Sequence, residues 1–140
     1  DVFTIQNSSG KPLSERRYTE IKDNILGVLN GTLDLGALLG TKEPVPSKRD
    51  MVFEIPYGVT LHSRASESDI VLEIYGRDRM GLLYDISRLM KKHGYNIQSA
   101  KINTYGLKAV DVFYIQKNAG TPDKLVELIN SINVLLSNYA

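Results

Sequence analysis

Six residues combine types and spacing that could do chemistry: Asp78-Arg79-Met80-Gly81-Leu82-Leu83. The run Ile70-Val71-Leu72-Glu73-Ile74-Tyr75 before them reads as a strand, and Gly81 to His93 reads as a helix. A strand that turns into a helix over a glycine leaves several backbone N–H groups without partners at the helix start. With the positive end of the helix dipole, those donors can hold a carboxylate or a phosphate. Glycine has no Cβ, so a small ligand can approach the backbone closely. The same six residues also suit a plain strand–helix turn that binds nothing, and the pattern of the whole segment has to separate the two.

Other chemistry is sparse. His62 and His93 fall in different elements with no carboxylate at ligand spacing, which fits surface or half-buried residues better than metal ligands or a base. Ser63, Ser87 and Ser99 lack the context of an activated nucleophile. Asp78, Asp85 and Asp111 are isolated carboxylates along the chain, and nothing pairs an acid with a base. The catalytic set is therefore empty, and no metal site is expected.

The elements that must position the six residues follow from periodicity. Asp1-Val2-Phe3-Thr4-Ile5-Gln6 reads as a strand from its β-branched and aromatic content. It matches Asp111-Val112-Phe113-Tyr114-Ile115-Gln116 at five of six positions, and Gly10 and Pro12 recur at the same offset as Gly120 and Pro122. The chain thus reads as an internal repeat that starts inside its first unit and carries a second. Ser14 is the expected N-cap of a first helix, with Tyr18, Ile21, Ile25, Val28 and Leu29 on one face and Asn30-Gly31 at its end.

Residues 32–51 read as a linker, where Leu33, Leu35, Leu38 and Leu39 suit a short helical turn. Lys48-Arg49 reads as solvated surface. The stretch 53–63 looks extended, with Pro56 tolerable on an edge strand, and should pair antiparallel with Ile70–Tyr75. Leu82, Leu83, Ile86, Leu89 and Met90 give the next helix an apolar stripe, and Gly94 closes it. Asn96–Thr104 and Ala109–Gln116 are two further strands. The last helix has Thr121 as its expected cap, Pro122 in its first turn and an apolar face from Leu125 to Leu136. The fold class expected is α+β: a four-stranded antiparallel sheet with two helices on one face, spanning 52–140 and preceded by a partial repeat at 1–31.

These residues carry a resemblance. Asp78-Arg79-x-Gly81-Leu82-Leu83, with Ile86, Leu89, Gly94, Asn96-Ile97, Ala100, Ile102, Thr104, Gly106 and Asp111-Val112-Phe113-Tyr114, resembles an ACT domain, a ligand-sensing module of ferredoxin-like βαββαβ fold. Met80 stands where that family usually has proline. The run Asp111–Ile115 after Thr104-x-Gly106 resembles, more particularly, the C-terminal tandem ACT region of the bifunctional protein-PII uridylyltransferase/uridylyl-removing enzymes. The resemblance implies regulatory binding of a small amino acid, glutamine, with the ligand at Asp78, Arg79, Met80, Gly81, Leu82 and Leu83. Asn96 and Ile97 would contribute contacts, often from a paired ACT unit. It also implies a magnesium-dependent parent enzyme whose catalytic domains lie elsewhere, no cofactor in this segment, and a PII-type signalling protein as the parent's partner. The incomplete first repeat implies pairing with another sheet edge, as in a homodimer.

Composition sets the outer bounds. Of 140 residues, 42% are hydrophobic, enough for a packed core. A net charge of +1 gives no field to recruit nucleic acid or anionic lipid, and the third strand lacks the basic-aromatic pattern of an RNA reader. The absence of cysteine excludes a disulfide framework and fits a reducing cytoplasm. The sequence shows neither a membrane-length apolar run nor a signal peptide. A module that pairs and transmits conformation without any ligand is the competing reading.

Overall fold

A computed structural model of the chain describes residues 2–40, 53–66 and 69–140. The chain divides into two compact units, one within Asp1–Glu43 and one within Pro44–Ala140.

In the first unit, helix α1 spans Glu15–Leu29. Ser14 caps it: its side chain accepts a hydrogen bond from the Arg17 N–H at 3.3 Å, satisfying one orphan donor. Asn30 ends the helix. A short helix α2, Leu35–Gly40, follows, with the Gly36 N–H donating to Asp34 Oδ1 at 2.8 Å. No residue of α1 is fully buried; of the apolar face read from the sequence, Ile21 and Val28 are half-buried and Tyr18, Ile25 and Leu29 are exposed. The strand expected over 1–6 is corrected: residues 2–6 are exposed and belong to no ladder. A single extended segment satisfies its backbone only by pairing, and among the described residues this unit holds no strand to pair with.

The second unit is one antiparallel sheet under two helices. Its elements are β1 (Gly58–Arg64), β2 (Ile70–Arg77), α3 (Leu82–Lys92), β3 (Tyr95–Tyr105), β4 (Lys108–Lys117) and α4 (Leu125–Ser137). Sheet order is β1-β2-β4-β3, with every neighbouring pair antiparallel. The strand beside β2 is Gly58–Arg64, with Gly58 opposite Tyr75; residues 53–57 lie outside the ladder. A bulge interrupts this ladder at His62. Burial alternates along β2 and β4 with the strand period of two, which marks one covered face. That face meets Leu82, Ile86 and Met90 of α3 and Leu125, Leu128, Ile132 and Leu136 of α4 in one core with Leu72, Ile74, Tyr95 and Phe113.

The beginning of α4 is also corrected. Thr121 and Pro122 precede the helix, and Lys124 holds the cap position without a side-chain bond. Thr121 instead donates its hydroxyl to the Asn118 carbonyl, while Asp123 Oδ1 accepts from the Leu125 N–H at 3.0 Å. The threonine is held against Gly94: a Cβ added there would meet Thr121 Cγ2 at 2.6 Å, and Gly94 has φ +82°. Glycine is needed at that position on both counts.

Candidate functional site

The turn from β2 into α3 opens into a cavity of about 200 Å³ between the start of α3 and the facing ends of β3 and β4. Its size falls below the range of drug-sized pockets, roughly 300–1,000 Å³, and suits a small metabolite. Gly81 sits at the N-cap of α3 with φ +80° and ψ 0°, a left-handed conformation that any side chain would strain. An added Cβ there would face only Arg79 Nη1, at 3.7 Å, so conformation rather than crowding explains the glycine. The Leu82 N–H closes a turn on the Arg79 carbonyl at 3.2 Å, and the Asp85 N–H bonds to the Gly81 carbonyl at 3.0 Å. The intervening Leu83 and Tyr84 N–H groups have no acceptor among the described residues, as expected of a helix start.

Arg79 is folded back rather than extended into water. Its side chain is 7% exposed; Nη2 donates to Asp85 Oδ2 at 2.5 Å and Nη1 to the Met80 carbonyl at 3.1 Å. The guanidinium lies 4.0 Å over the Tyr139 ring, while its Nε is buried without a partner among the described residues. The far wall is acidic. Asp111 is 2% exposed on the core face of β4 and accepts one bond, to Oδ1 from the Asn103 N–H at 3.2 Å. Burial pushes its carboxyl pKa up, and the nearby Asp78 carboxylate pushes the same way against that bond.

The residues singled out in the sequence divide. Asp78, Arg79, Gly81, Leu82 and Leu83 line the cavity together. Met80 is exposed beside it and does not line it. Asn96 and Ile97 lie at the opposite end of β3, across from Gln116 and Ile115, and do not reach the cavity within this chain. The lining adds Tyr84, Ile102, Thr104, Ala109 and Asp111, none of which was expected at the ligand site from the sequence, although Ile102, Thr104 and Asp111 belong to the pattern that resembles an ACT domain. Asp111 was visible in principle: strand alternation puts it in phase with Phe113 and Ile115, and a carboxylate in phase with a buried face calls for explanation.

The remaining polar groups serve the fold. Asp123 pairs with Arg64 and accepts from the Tyr95 hydroxyl at 3.1 Å, tying β1, β3 and the start of α4 together. The Arg64 guanidinium, helped by the Leu125 N–H, holds the Asp123 pKa down at about 2. His93 is buried between α3 and α4, with Nδ1 2.8 Å from the Leu89 carbonyl and Nε2 3.4 Å from Ser131 Oγ. His62 sits 3.4 Å from Glu73 on the neighbouring strand, a pairing the linear spacing conceals. Among the described residues no three metal-ligating side chains cluster, and no helix is long and apolar enough to cross a membrane. A larger and shallower groove of about 920 Å³ runs outside α3 and α4, lined in part by Arg88, Lys91 and Lys92.

Sheet order, two helices on one face and a ligand-sized cavity at the strand–helix glycine define an α+β, ferredoxin-like sandwich of the ACT type, with its edge strand supplied by β1 ahead of the βαββα run. By sequence, the chain is homologous to one segment of the bifunctional uridylyltransferase/uridylyl-removing enzymes. It is 42% identical over 119 residues to that enzyme of Azospirillum brasilense, covering 83% of this chain and 13% of the relative. The enzymes of Rhodospirillum rubrum and Ruegeria pomeroyi are 34% and 32% identical over 83% and 86% of this chain, which spans 12% and 13% of their lengths. No family model matches the chain. A solved structure of an unknown protein from Galdieria sulphuraria aligns with 44% of this chain and 36% of that one, at TM-score 0.39 and 22% identity.

Proposed function

We propose that this chain is a regulatory ACT segment of a cytoplasmic uridylyltransferase/uridylyl-removing enzyme and that it senses a small amino acid, glutamine. In this reading it passes nitrogen status to catalytic domains that modify a PII-type protein. The observation that carries it is the cavity at the start of α3, in a chain whose relatives are enzymes of that name. The ligand's carboxylate would rest on the Leu83 and Tyr84 N–H groups, where the helix dipole favours negative charge. Leu82 and Ile102 would pack against its carbon chain. The uridylyl chemistry, and the magnesium it uses, belong to the parent enzyme, so this segment alone should turn over neither reaction.

Calorimetry with glutamine against a panel of amino acids tests the reading. Glutamine should bind, and Gly81→Val should abolish binding, because a branched side chain strains the φ +80° turn that presents the N–H groups. Unchanged affinity in that variant would remove the turn from the site.

One observation favours an interaction role as well. Apart from Tyr95, every residue of β3 is exposed, including Ile97 and Ile102 on the side that faces the helical layer. A second copy pairing there would cover them and bring its Asn96 and Ile97 toward a shared site. Light scattering that reports a monomer at all concentrations would remove that homodimer reading.

A further inference from the structure

We infer that Asp111 is the ammonium acceptor of this site, so that the cavity selects α-amino acids against otherwise identical acids that lack the amino group. The inference rests on the ligand reading above and adds to it a specificity-determining residue.

Three observations converge on Asp111. First, its place is unusual: it is 2% exposed, in phase with Phe113 and Ile115 on the core face of β4, where a carboxylate is costly unless it has partners. Second, its partners are incomplete. Oδ1 accepts the single bond from the Asn103 N–H, and Oδ2 has no donor among the described residues. A carboxylate has about four acceptor sites, so most of its capacity is unspent. Third, it borders the cavity rather than being sealed in the core, because it lines the same space as Gly81, Leu83 and Thr104.

The charges around it define what would fit. Asp78 lines the same cavity and shares its sign. The cation in the cavity lining, Arg79, is engaged by Asp85 and the Met80 carbonyl, and its buried Nε has no partner among the described residues. The cavity is thus bipolar: one wall holds N–H groups at the start of α3 that have no acceptor among the described residues, the other holds the Asp111 carboxylate, and Asp78 lines it too. A simple anion would satisfy the first wall and be repelled by the second. A zwitterion satisfies both, with its carboxylate toward α3 and its ammonium toward Asp111. The ammonium also supplies the opposite charge that lets Asp111 stay ionised where it is buried. Pairing it with a desolvated carboxylate should favour amino acids by roughly tenfold to a hundredfold over their des-amino analogues.

The test is calorimetric titration of the 140-residue chain and its Asp111→Asn variant with glutamine and with the des-amino analogue of glutamine. Asparagine keeps the shape and can still accept from Asn103. The wild type should bind glutamine at least about tenfold more tightly than the analogue. D111N should weaken glutamine alone and bring the two within about twofold. Wild-type discrimination that persists in D111N would overturn the role of Asp111 and leave the glutamine reading standing. Equal wild-type affinity for both compounds would likewise overturn it. A wild type that binds neither would remove the glutamine reading and this inference with it. Should D111N fail to fold, the Asp111 carboxyl carbon resonance of the wild type decides. It should shift on saturation with glutamine and stay still with the analogue; a resonance indifferent to both at saturation overturns the inference.

Discussion

Val2-Phe3-Thr4-Ile5-Gln6 and Val112-Phe113-Tyr114-Ile115-Gln116 differ at a single position, yet they end in opposite states. In the second, every residue is in β4 and paired with β3, those from Val112 to Ile115 are also paired with β2, and Phe113 is 2% exposed. In the first, no residue is in a ladder, and Phe3 is 81% exposed. Local β-propensity is the same in both, so it cannot be what makes β4 a strand. What differs is the neighbourhood. β4 has two strands to satisfy its backbone and two helices to cover one face, whereas the described part of the first unit has no strand to pair with and leaves residues 2–6 exposed. Strand formation here is a property of the sheet, with the sequence supplying only compatibility.

The sharpest way to break this comparison is to delete the same ring from both copies. Phe113→Ala should cost about 3–5 kcal/mol, because it opens a cavity among Leu72, Ile86 and their neighbours. Phe3→Ala should change stability by no more than about 0.5 kcal/mol, since it removes nothing from a packed site. Urea unfolding of both variants measures the pair. Comparable losses would mean that the N-terminal copy is packed in solution after all.

pH offers a finer test, because the sheet unit carries two carboxylates displaced in opposite directions. Asp123 is held at about 2, below its ordinary 3.8, by the Arg64 guanidinium. Its contribution is therefore present above 3.8 and fades as pH falls from there towards 2. Asp111 is raised by burial, so its ionisation opposes folding once pH exceeds the unfolded value of 3.8. Asp111→Asn should accordingly raise the melting temperature near pH 7, with the gain disappearing below about pH 3. Asp123→Asn should lower it near neutrality and flatten the acid limb. Melting curves across that range check both signs. An Asp111→Asn variant less stable than wild type at neutrality would show that its carboxylate is better satisfied than the Asn103 bond implies.

Much of this architecture is legible in the linear pattern, for reasons the residues make plain. The apolar stripe Leu82, Ile86, Met90 and the alternation of Ile70, Leu72 and Ile74 each have one dominant period, and each became a helix or strand with that face buried. Ser14 acted as the cap its chemistry suggested. The failures are long-range. Thr121 and Pro122 look like a helix start, but the threonine is packed against the distant Gly94, with its hydroxyl on the Asn118 carbonyl, and the helix begins at Leu125. At the site, Gly81 and its flanks are contiguous and could be read. Ile102, Thr104, Ala109 and Asp111 arrive by strand register, which no local window contains.

The smallest effect compares the two capped ends that hold α1 and α3. α1 has a side-chain cap and no buried residue; α3 has a glycine cap with no side-chain bond and buries Leu82, Ile86 and Met90. An isolated helix of 15 residues is marginal in water, so α1 depends on local terms. Those terms are the Ser14 bond and the exposed Arg17–Glu20 pair at 2.9 Å. The pair is worth only about 0.3–0.5 kcal/mol and weakens with salt. The cap is worth about 1 kcal/mol. Ser14→Ala should therefore melt much of α1 while leaving the sheet unit's unfolding transition in place. Far-ultraviolet circular dichroism should lose part of its helical signal before any denaturant is added, and amides of 15–29 should exchange faster with solvent. Amides of α3 should be unaffected, because that helix is held by its buried face. If α1 keeps its helicity without the Ser14 hydroxyl, then something covers Tyr18, Ile25 and Leu29 in solution and holds the helix by packing, as the core holds α3.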